Sequence, residues 1–483
     1  MLCLPSAIVS RLIALYALIS LAIPQAGLAQ EAAPEESAVV APAPPAQTPP
    51  PAELPVRKNY FIPIFDIVVF DLIVNRYGER FIDHGTYDVS ASSIRRNFHS
   101  PWVLDSDPFD TNQFLHPYQG AMYHGFARSA GLNYWESLGY AFAGSMLWEI
   151  AGETTLPSRN DQIATGLGGT FLGEPLFRIA NLVLEKGERL PWFWRELIAL
   201  IVSPATGFNR VAYGGRFKAV FPSRNPSFFT RVQFGAMATA SVQKSFTQPL
   251  TRNEAVADFS IDYGLPGNSN YLYRRPFDYF NFQFTASSAN RFENIFSRGL
   301  LAGREYGSGA GLYRGVWGLY ATYDYVAPQI FRVSNTALAL GTTFQRRIAA
   351  SSALQSTLLA GVGYGAAGTI HGSGTRDFHY GVAPQLLVAN RFIVNDRAAF
   401  DLTLRDYYVS GIASTEQRGS ENVARADALF TLKFHTHQAM SVRYIWSRRA
   451  AAYPDLGDVI QSRGSVGLFY TYLGGSRFGA VDF

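Results

Sequence analysis

The sequence predicts a membrane all-β barrel of about twelve antiparallel strands, preceded by an α-helical domain that either plugs the lumen or sits at its periplasmic mouth. Three observations lead there. Beyond about residue 228, apolar residues alternate with polar ones, the period of strands with two unlike faces. The apolar face is aromatic and the polar face holds charges of both signs, whereas a soluble sandwich would show a Lys- and Glu-rich face on strands of about five or six residues. Between residues 110 and 204 the polar residues instead recur at helical spacing, behind recognisable capping residues.

The N-terminal 29 residues carry Arg11, the apolar stretch LIALYALISLAI and the small-residue ending Gly27-Leu28-Ala29. This pattern predicts a secretory signal peptide over 1–29, its core too short for a bilayer span of roughly twenty residues. The single Cys, Cys3, falls inside it, so a mature chain would have no thiol chemistry, disulfide or Cys-based zinc site. Residues 30–56, QEAAPEESAVVAPAPPAQTPPPAELP and its neighbour, are Pro- and Ala-rich and predict an extended linker. Over the whole chain 16% of residues are charged and 14% aromatic, with a net charge of +4. A highly charged disordered chain is thereby excluded, and the interleaved charges leave no footprint for nucleic acid.

The helical domain is assigned to 57–210. Its first part, FIPIFDIVVFDLIV, contains Asp66 and Asp71, which argue against a bilayer span, and reads equally as an amphipathic helix or a strand pair. Three start signals follow: Asp110 with Gln113, Asn133 with Glu136, and Ser158 with Asp161. They predict helices near 112–130, 134–154 and 159–186, with another near 191–202. Gly131 and Gly187 fall where C-terminal caps belong. Each long helix carries a polar stripe at multiples of four: His116, His124 and Arg128 around Gly120; Ser145, Glu149 and Glu153; Gly166, Thr170, Glu174 and Arg178. If the stripes converge, His116, Glu149 and Glu153 are candidate acid–base residues, with Arg128, Arg178, Glu174, His124 and Asp161 as candidate binding residues. The competing reading is an internal ion-pair network, Arg128 with Glu149 and Arg178 with Glu174. Neither HExxH nor Gly-x-Ser-x-Gly occurs, and no metal or cofactor is expected. The run Gly166, Gly168, Gly169 and Gly173 lies within a helix and predicts close helix packing.

The barrel domain, 211–483, divides at turn signals into strands near 228–243, 252–264, 277–288, 292–306, 311–326, 330–345, 349–364, 378–390, 393–410, 422–435, 437–448 and 461–473. Phe280, Phe282 and Phe284 share a face opposite Asn281, Gln283 and Thr285; Val466, Leu468, Tyr470 and Tyr472 share one opposite Ser465, Gly467 and Thr471. Leu265-Pro266-Gly267-Asn268 and His435-Thr436-His437-Gln438 mark turns. The terminal aromatic, Phe483, is similar to the C-terminal signal of outer-membrane barrels.

The run Asp107-Pro108-Phe109-Asp110-Thr111-Asn112-Gln113-Phe114-Leu115-His116-Pro117-Tyr118-Gln119-Gly120, followed by Ala127-Arg128, Tyr134-Trp135-Glu136-Ser137, Trp148-Glu149, Gly152-Glu153, Asn160-Asp161, Gly173-Glu174 with Arg178, and Asn209-Arg210, resembles a bacterial family catalogued as domain of unknown function 3943. The resemblance covers about residues 60–215. It implies an exported envelope protein of unassigned activity, and it places His116, Arg128, Glu149, Glu153, Asp161, Glu174 and Arg178 on motif positions.

Two functions follow as expectations. One is a structural, pore or lipid-handling protein of the cell outer membrane, with outer-membrane lipids as partners and the barrel-assembly machinery during biogenesis. The other is a membrane-embedded hydrolase or transferase acting on envelope lipid, with His116 as base, Glu149 or Glu153 orienting it and Arg128 or Arg178 binding phosphate.

Overall fold

The computed structural model describes residues 58–483 apart from 106, 188–189, 215–219, 244–249, 269, 309–311, 329–330, 369–375, 412–418, 455–456, 476 and 482–483. The expected signal peptide over 1–29, the linker over 30–56 and the terminal Phe483 lie outside the described residues.

The ambiguous apolar run is helix α1 (Phe61–Phe81), followed by two short helices, α2 (His84–Tyr87) and α3 (Ala91–His99). Helix α4 begins as a π turn, Thr111–Leu115, and continues as His116–Ser129. Helix α5 spans Tyr134–Ala151; α6 runs through Arg159–Ile163, a π turn Ala164–Gly168 and Gly169–Lys186; α7 is Trp192–Val202 and α8 Pro204–Ala212. Two expected start signals are real caps. The Asn133 side chain accepts from the Glu136 amide in a full capping box, and Ser158 accepts from the Asp161 amide. Asp110 makes no capping bond, because the chain there is already helical and winds into the π turn.

All twelve expected strands form: β1 (Phe228–Gln243), β2 (Leu250–Tyr263), β3 (Phe280–Ser287), β4 (Asn294–Gly307), β5 (Tyr313–Val326), β6 (Arg332–Ala349), β7 (Ser352–Gly368), β8 (His379–Val394), β9 (Ala398–Val409), β10 (Ser420–His435), β11 (Gln438–Tyr453) and β12 (Gly457–Leu473). Each pairs antiparallel with its chain neighbours, and β1 pairs with β12, closing the barrel.

Residues paired across strands share a face, so register separates lumen from exterior. On β11 and β12 the outward Met440, Val442, Tyr444, Val466, Leu468 and Tyr470 are exposed. Their neighbours Arg443, Ser447, Arg449, Arg463 and Thr471 point inward and are buried. The inward side chains fill the barrel. Arg391 on β8 donates to Asp262 on β2, diametrically opposite in the strand order, at 2.9 Å and to Asp401 on β9 at 2.6 Å. Arg443 reaches Asp258 on β2 at 3.1 Å, and Arg231 on β1 reaches Asp401 at 2.9 Å. An apolar cluster built on Phe296, Phe331, Val333 and Tyr407 packs towards one end of the lumen. At the other end Phe478, in the chain after β12, packs with Phe229, Leu265 and Leu473, and the Gly479 carbonyl accepts from Gln355 at 2.6 Å.

The helices are seated on the side of the barrel, which corrects both expected positions, a plug in the lumen and a seat at its periplasmic mouth. Two adjacent rows of outward residues cross β2 to β8: Phe259, Phe284, Ile295, Tyr325, Ser334, Ala366 and Tyr380, then Ile261, Phe282, Ser297, Tyr323, Thr336 and Tyr364. Unlike the outward residues of β11 and β12, most of these are buried, and they form one core with Phe109, Phe114, Ala121, Tyr134, Phe171 and Leu172 of the helical part. Ser297 donates to the Phe171 carbonyl at 2.6 Å and Tyr323 to the Gln113 carbonyl at 2.6 Å. An apolar outward face can be covered by helices as well as by lipid, while the lumen is already occupied by the barrel's own charged side chains. That difference in what each face can bury places the helices outside.

Candidate functional site

The expected site residues do not form one site. They divide between two clusters at the crossing of α4 and α6, the second of which also draws Glu149 from α5 and Glu153 from the chain after it. Gly120 and Gly169 face each other there: a Cβ on Gly120 would run into the Thr165 carbonyl, and one on Gly169 into the Gly120 backbone. This close approach is the packing role expected of the glycine run, and it turns the polar stripes of the two helices towards each other.

In the first cluster Glu174 is the centre. Its Oε2 accepts from His124 Nε2 at 3.0 Å and from Arg128 Nε at 2.7 Å, while Oε1 accepts from Arg178 Nε at 2.8 Å and Arg128 Nη2 at 3.2 Å. Arg178 goes on to the barrel, donating to Asp278 at 3.1 Å and to the Pro276 carbonyl at 2.6 Å. Burial alone would push the Glu174 carboxyl up, but Arg128 and Arg178 outweigh it and hold the group well below the usual carboxylate range. Burial pushes His124 down, so its neutral ring donates through Nε2. Arg178 pairs with Glu174 as expected. Arg128 does not pair with Glu149, because the α4 face that carries it packs on α6, and Glu174 is the carboxylate it meets.

The second cluster gathers His116, Glu149, Glu153 and Asp161. His116 Nε2 lies 3.9 Å from Asp161 Oδ1, beyond hydrogen-bond reach, and its Nδ1 has no partner. Glu149 accepts from the Ser158 amide at 2.7 Å; Glu153 accepts from Trp148 Nε1 at 2.8 Å and Thr155 Oγ1 at 2.9 Å. Burial, reinforced by neighbouring carboxylates, pushes Glu149 well up and Asp161 to about 7, and burial also raises Glu153. The cluster is a set of buried acids, each pushed above the ordinary carboxylate range, beside a histidine. Asn160 joins it to the barrel, donating to Asp161 at 3.0 Å and to the Tyr380 hydroxyl at 2.9 Å; Asn112 reaches the same hydroxyl at 2.9 Å.

Part of the helical segment is similar to a known family. Residues 101–205 match the model of the family described as Domain of unknown function (DUF3943). Both clusters draw all their helical members from the DUF3943 segment, and Asp278 and Tyr380 from the barrel. No curated protein matches the chain. Among solved structures, OmpT of Vibrio cholerae, an outer membrane protein folded in vitro, is 7% identical, with 52% of this chain and 98% of that one covered and a TM-score of 0.19. The NanC porin is 5% identical over 48% of this chain and 98% of that one, with a TM-score of 0.25. A deltaS2 mutant of the TodX monoaromatic hydrocarbon channel is 8% identical over 57% and 94%, with a TM-score of 0.22. The barrel assignment rests on the strand pairing of this chain itself.

Sequence reasoning missed the barrel residues Tyr380 and Asp278, which only register and loop geometry bring to the helices. It noticed Asp66 and Asp71 without a role for them. Both are buried acceptors that dock α1, Asp66 from Tyr213 and Asp71 from Tyr123, which in turn accepts from Gln119 at 2.6 Å. Burial pushes Asp66 to about 6 and Asp71 to about 7. Among the described residues no three His, Cys, Asp or Glu side chains come together in an arrangement able to hold a metal ion. Neither the lumenal cavity nor the groove between α1 and α5 is lined by any of the eight expected site residues.

Proposed function

We propose that this chain is an outer-membrane protein whose helical part handles membrane lipid on the outside of a barrel that does not conduct. The observation that carries the reading is the position of the helices: they cover the outward rows of β2 to β8, where lipid would otherwise lie, while ion pairs bridge the lumen. The helices also present a large apolar surface of their own. Phe61 is 81% exposed, Trp192 70% and Ile201 69%, and Phe65, Ile73 and Trp194 are exposed beside them. No helix among the described residues is long and apolar enough to cross a membrane, so this surface fits a module lying in the lipid interface, with Trp at headgroup depth. Between α1 and α5 a groove of about 400 Å3, lined by Ile64, Ile67, Val68, Ala143 and Leu147, has the shape and chemistry for an acyl chain. Export through a cleaved leader and insertion by the barrel-assembly machinery complete the proposed route.

The test uses the full chain in bilayers. Lipids brominated along the acyl chain should quench Trp192 and Trp194, as shown by loss of the quenched component in Trp192→Phe/Trp194→Phe, and planar bilayers should show no steady conductance. Stable open channels together with unquenched tryptophans would overturn the proposal.

A second reading, a hydrolase or transferase acting on lipid, is favoured by the gathering of His116 with Glu149, Glu153 and Asp161, where a histidine and buried acids of raised pKa meet. His116→Ala should then abolish turnover of a radiolabelled envelope phospholipid while the barrel keeps its heat-modifiable gel mobility. Equal turnover by the variant and the parent removes this reading.

A further inference from the structure

The lumenal charges do not balance where the barrel holds its cavity, a space of about 80 Å3 lined by five arginines and three aspartates. Three of the arginines are accounted for. Arg391 is held by Asp262 and Asp401, Arg231 by Asp401, and Arg443 by Asp427 and by Asp258 beside the cavity. Arg298 and Arg405 remain, and among the described residues neither has a carboxylate within 4.0 Å. The Nε of each is buried without a hydrogen-bond partner. Arg405 is only 6% exposed, and its guanidinium lies 3.8 Å from the centre of the Phe296 ring, which orients it. Asp324 and Asp427 act on Arg405 only from beyond 4.0 Å, and Asp324 accepts instead from the Tyr407 hydroxyl at 3.0 Å. A further guanidinium raises the imbalance: Arg425, 3% exposed, is the register partner of Arg405 on β10 and leaves both Nε and Nη2 unpartnered.

Like charges directly opposite on neighbouring strands are destabilising, and a buried guanidinium with no carboxylate in contact, only more distant ones, leaves that cost partly unrelieved. Such an arrangement persists where something neutralises it. We propose that the lumenal cavity is a binding site for a small multi-oxygen anion of the phosphate or sulfate class, held by Arg298 and Arg405 with Arg425 adding its field. Planar guanidinium forks match paired oxygens and give short charge-assisted bonds, which a monatomic halide cannot use in the same way. The anion comes from water, since the strands separate the cavity from the lipid-facing surface. The proposal is independent of the lipid-handling reading, which concerns the opposite face of the wall.

The experiment takes the full chain, folded in detergent in chloride alone, and adds inorganic phosphate at constant ionic strength, both to the folded protein and during refolding. Calorimetry should show saturable one-site binding, and phosphate should raise the unfolding temperature above that in chloride. Arg298→Gln/Arg405→Gln should weaken binding by about tenfold or more, the loss expected for one or two hydrogen bonds to a charged group. The same variant should be more stable than the parent in chloride, because two guanidiniums that no carboxylate contacts are gone. Arg405→Lys, keeping charge without the fork, should bind with intermediate strength. If the double variant gives no heat-modifiable folded band, Arg298→Gln alone carries the comparison. No phosphate effect beyond chloride under either protocol would overturn the site, as would undiminished binding by the folded Gln variant. Equal competition by a phospholipid headgroup in micelles and by free phosphate would overturn the aqueous origin of the ligand.

Discussion

Arg178 of α6 and Asp278 of the β2–β3 connection meet at 3.1 Å, and Asp278 is wholly buried. The same guanidinium also binds Glu174, so one side chain links the centre of the helical network to the barrel. The described residues from 58 onwards belong to one compact unit, and this contact crosses from its helices to its barrel. Helices and barrel share a core, and their polar seam is closed from both sides.

Removing that link should be severe. Arg178→Met leaves Asp278 without its partner from the helices and Glu174 with one arginine where it had two, a loss of about 3–5 kcal/mol for breaking a buried pair. Limited proteolysis should cut α6 and α7 in the variant while the barrel still runs as a folded, heat-modifiable band. Adding Asp278→Asn should recover part of the stability.

The helical part should be more stable in mild acid than in mild base. Asp71 and Asp161, each pushed to about 7, and Asp66, pushed to about 6, start from an ordinary value of 3.8. Between those limits the folded chain holds protons that the unfolded chain has released, so this stability is complete below about pH 4 and is lost as pH rises past 7. Glu174 acts in the opposite sense and in a lower window: its contribution is present above about pH 4.5 and falls away in stronger acid. Hydrogen exchange of α1 and α4 should therefore be slower at pH 5 than at pH 8, after correction for intrinsic rates. Asp71→Asn should shrink that difference, and an unchanged difference would show that Asp71 does not carry the proton.

What was legible in the sequence follows from which constraints are local. Alternation of two residues is local, so all the strands, from Phe228 to Leu473, could be placed within a few positions. Capping by Asn133 and Ser158 is local for the same reason. The seat of the helices was hidden because Phe282 and Ile261, covered by helix, carry the same signal as Val466 and Leu468, which are bare. One sign was available: Ser297, Ser334 and Thr336 interrupt the outward apolar rows, and Ser297 does so to bond the Phe171 carbonyl. The partner of Arg128 was illegible because a stripe on one helix does not say which neighbour it will face.

Gly120→Ala should separate α4 from α6. The new Cβ would overlap the Thr165 carbonyl, a backbone group that cannot swing aside, and overpacking of this kind costs about 1–3 kcal/mol or more. Both polar clusters depend on that approach, so the variant should expose Trp148 to aqueous quencher and speed exchange in α4 and α6 together. Gly139→Ala is the control, since a Cβ there meets nothing within 4 Å and should leave both readings unchanged.

Tyr380 offers a way to tell a structural seam from a working site. Its hydroxyl accepts from Asn112, from Asn160 and, at 3.4 Å, from Gln113, and Asn160 in turn holds Asp161 and accepts from the Asp105 amide at 2.8 Å. Tyr380→Phe keeps the ring but leaves three buried amide donors short of an acceptor, at about 1–3 kcal/mol for each unsatisfied group. A purely structural cluster predicts lower stability in Tyr380→Phe and in His116→Ala, with lipid turnover absent from parent and variants alike. A catalytic cluster predicts that Tyr380→Phe folds, turns lipid over and shows a displaced pH profile, because loosening Asn160 changes the field on Asp161 and on the histidine facing it. Measured side by side, stability and pH–rate profiles of the two variants separate these outcomes, since a residue that only holds the fold together has no pH profile to displace.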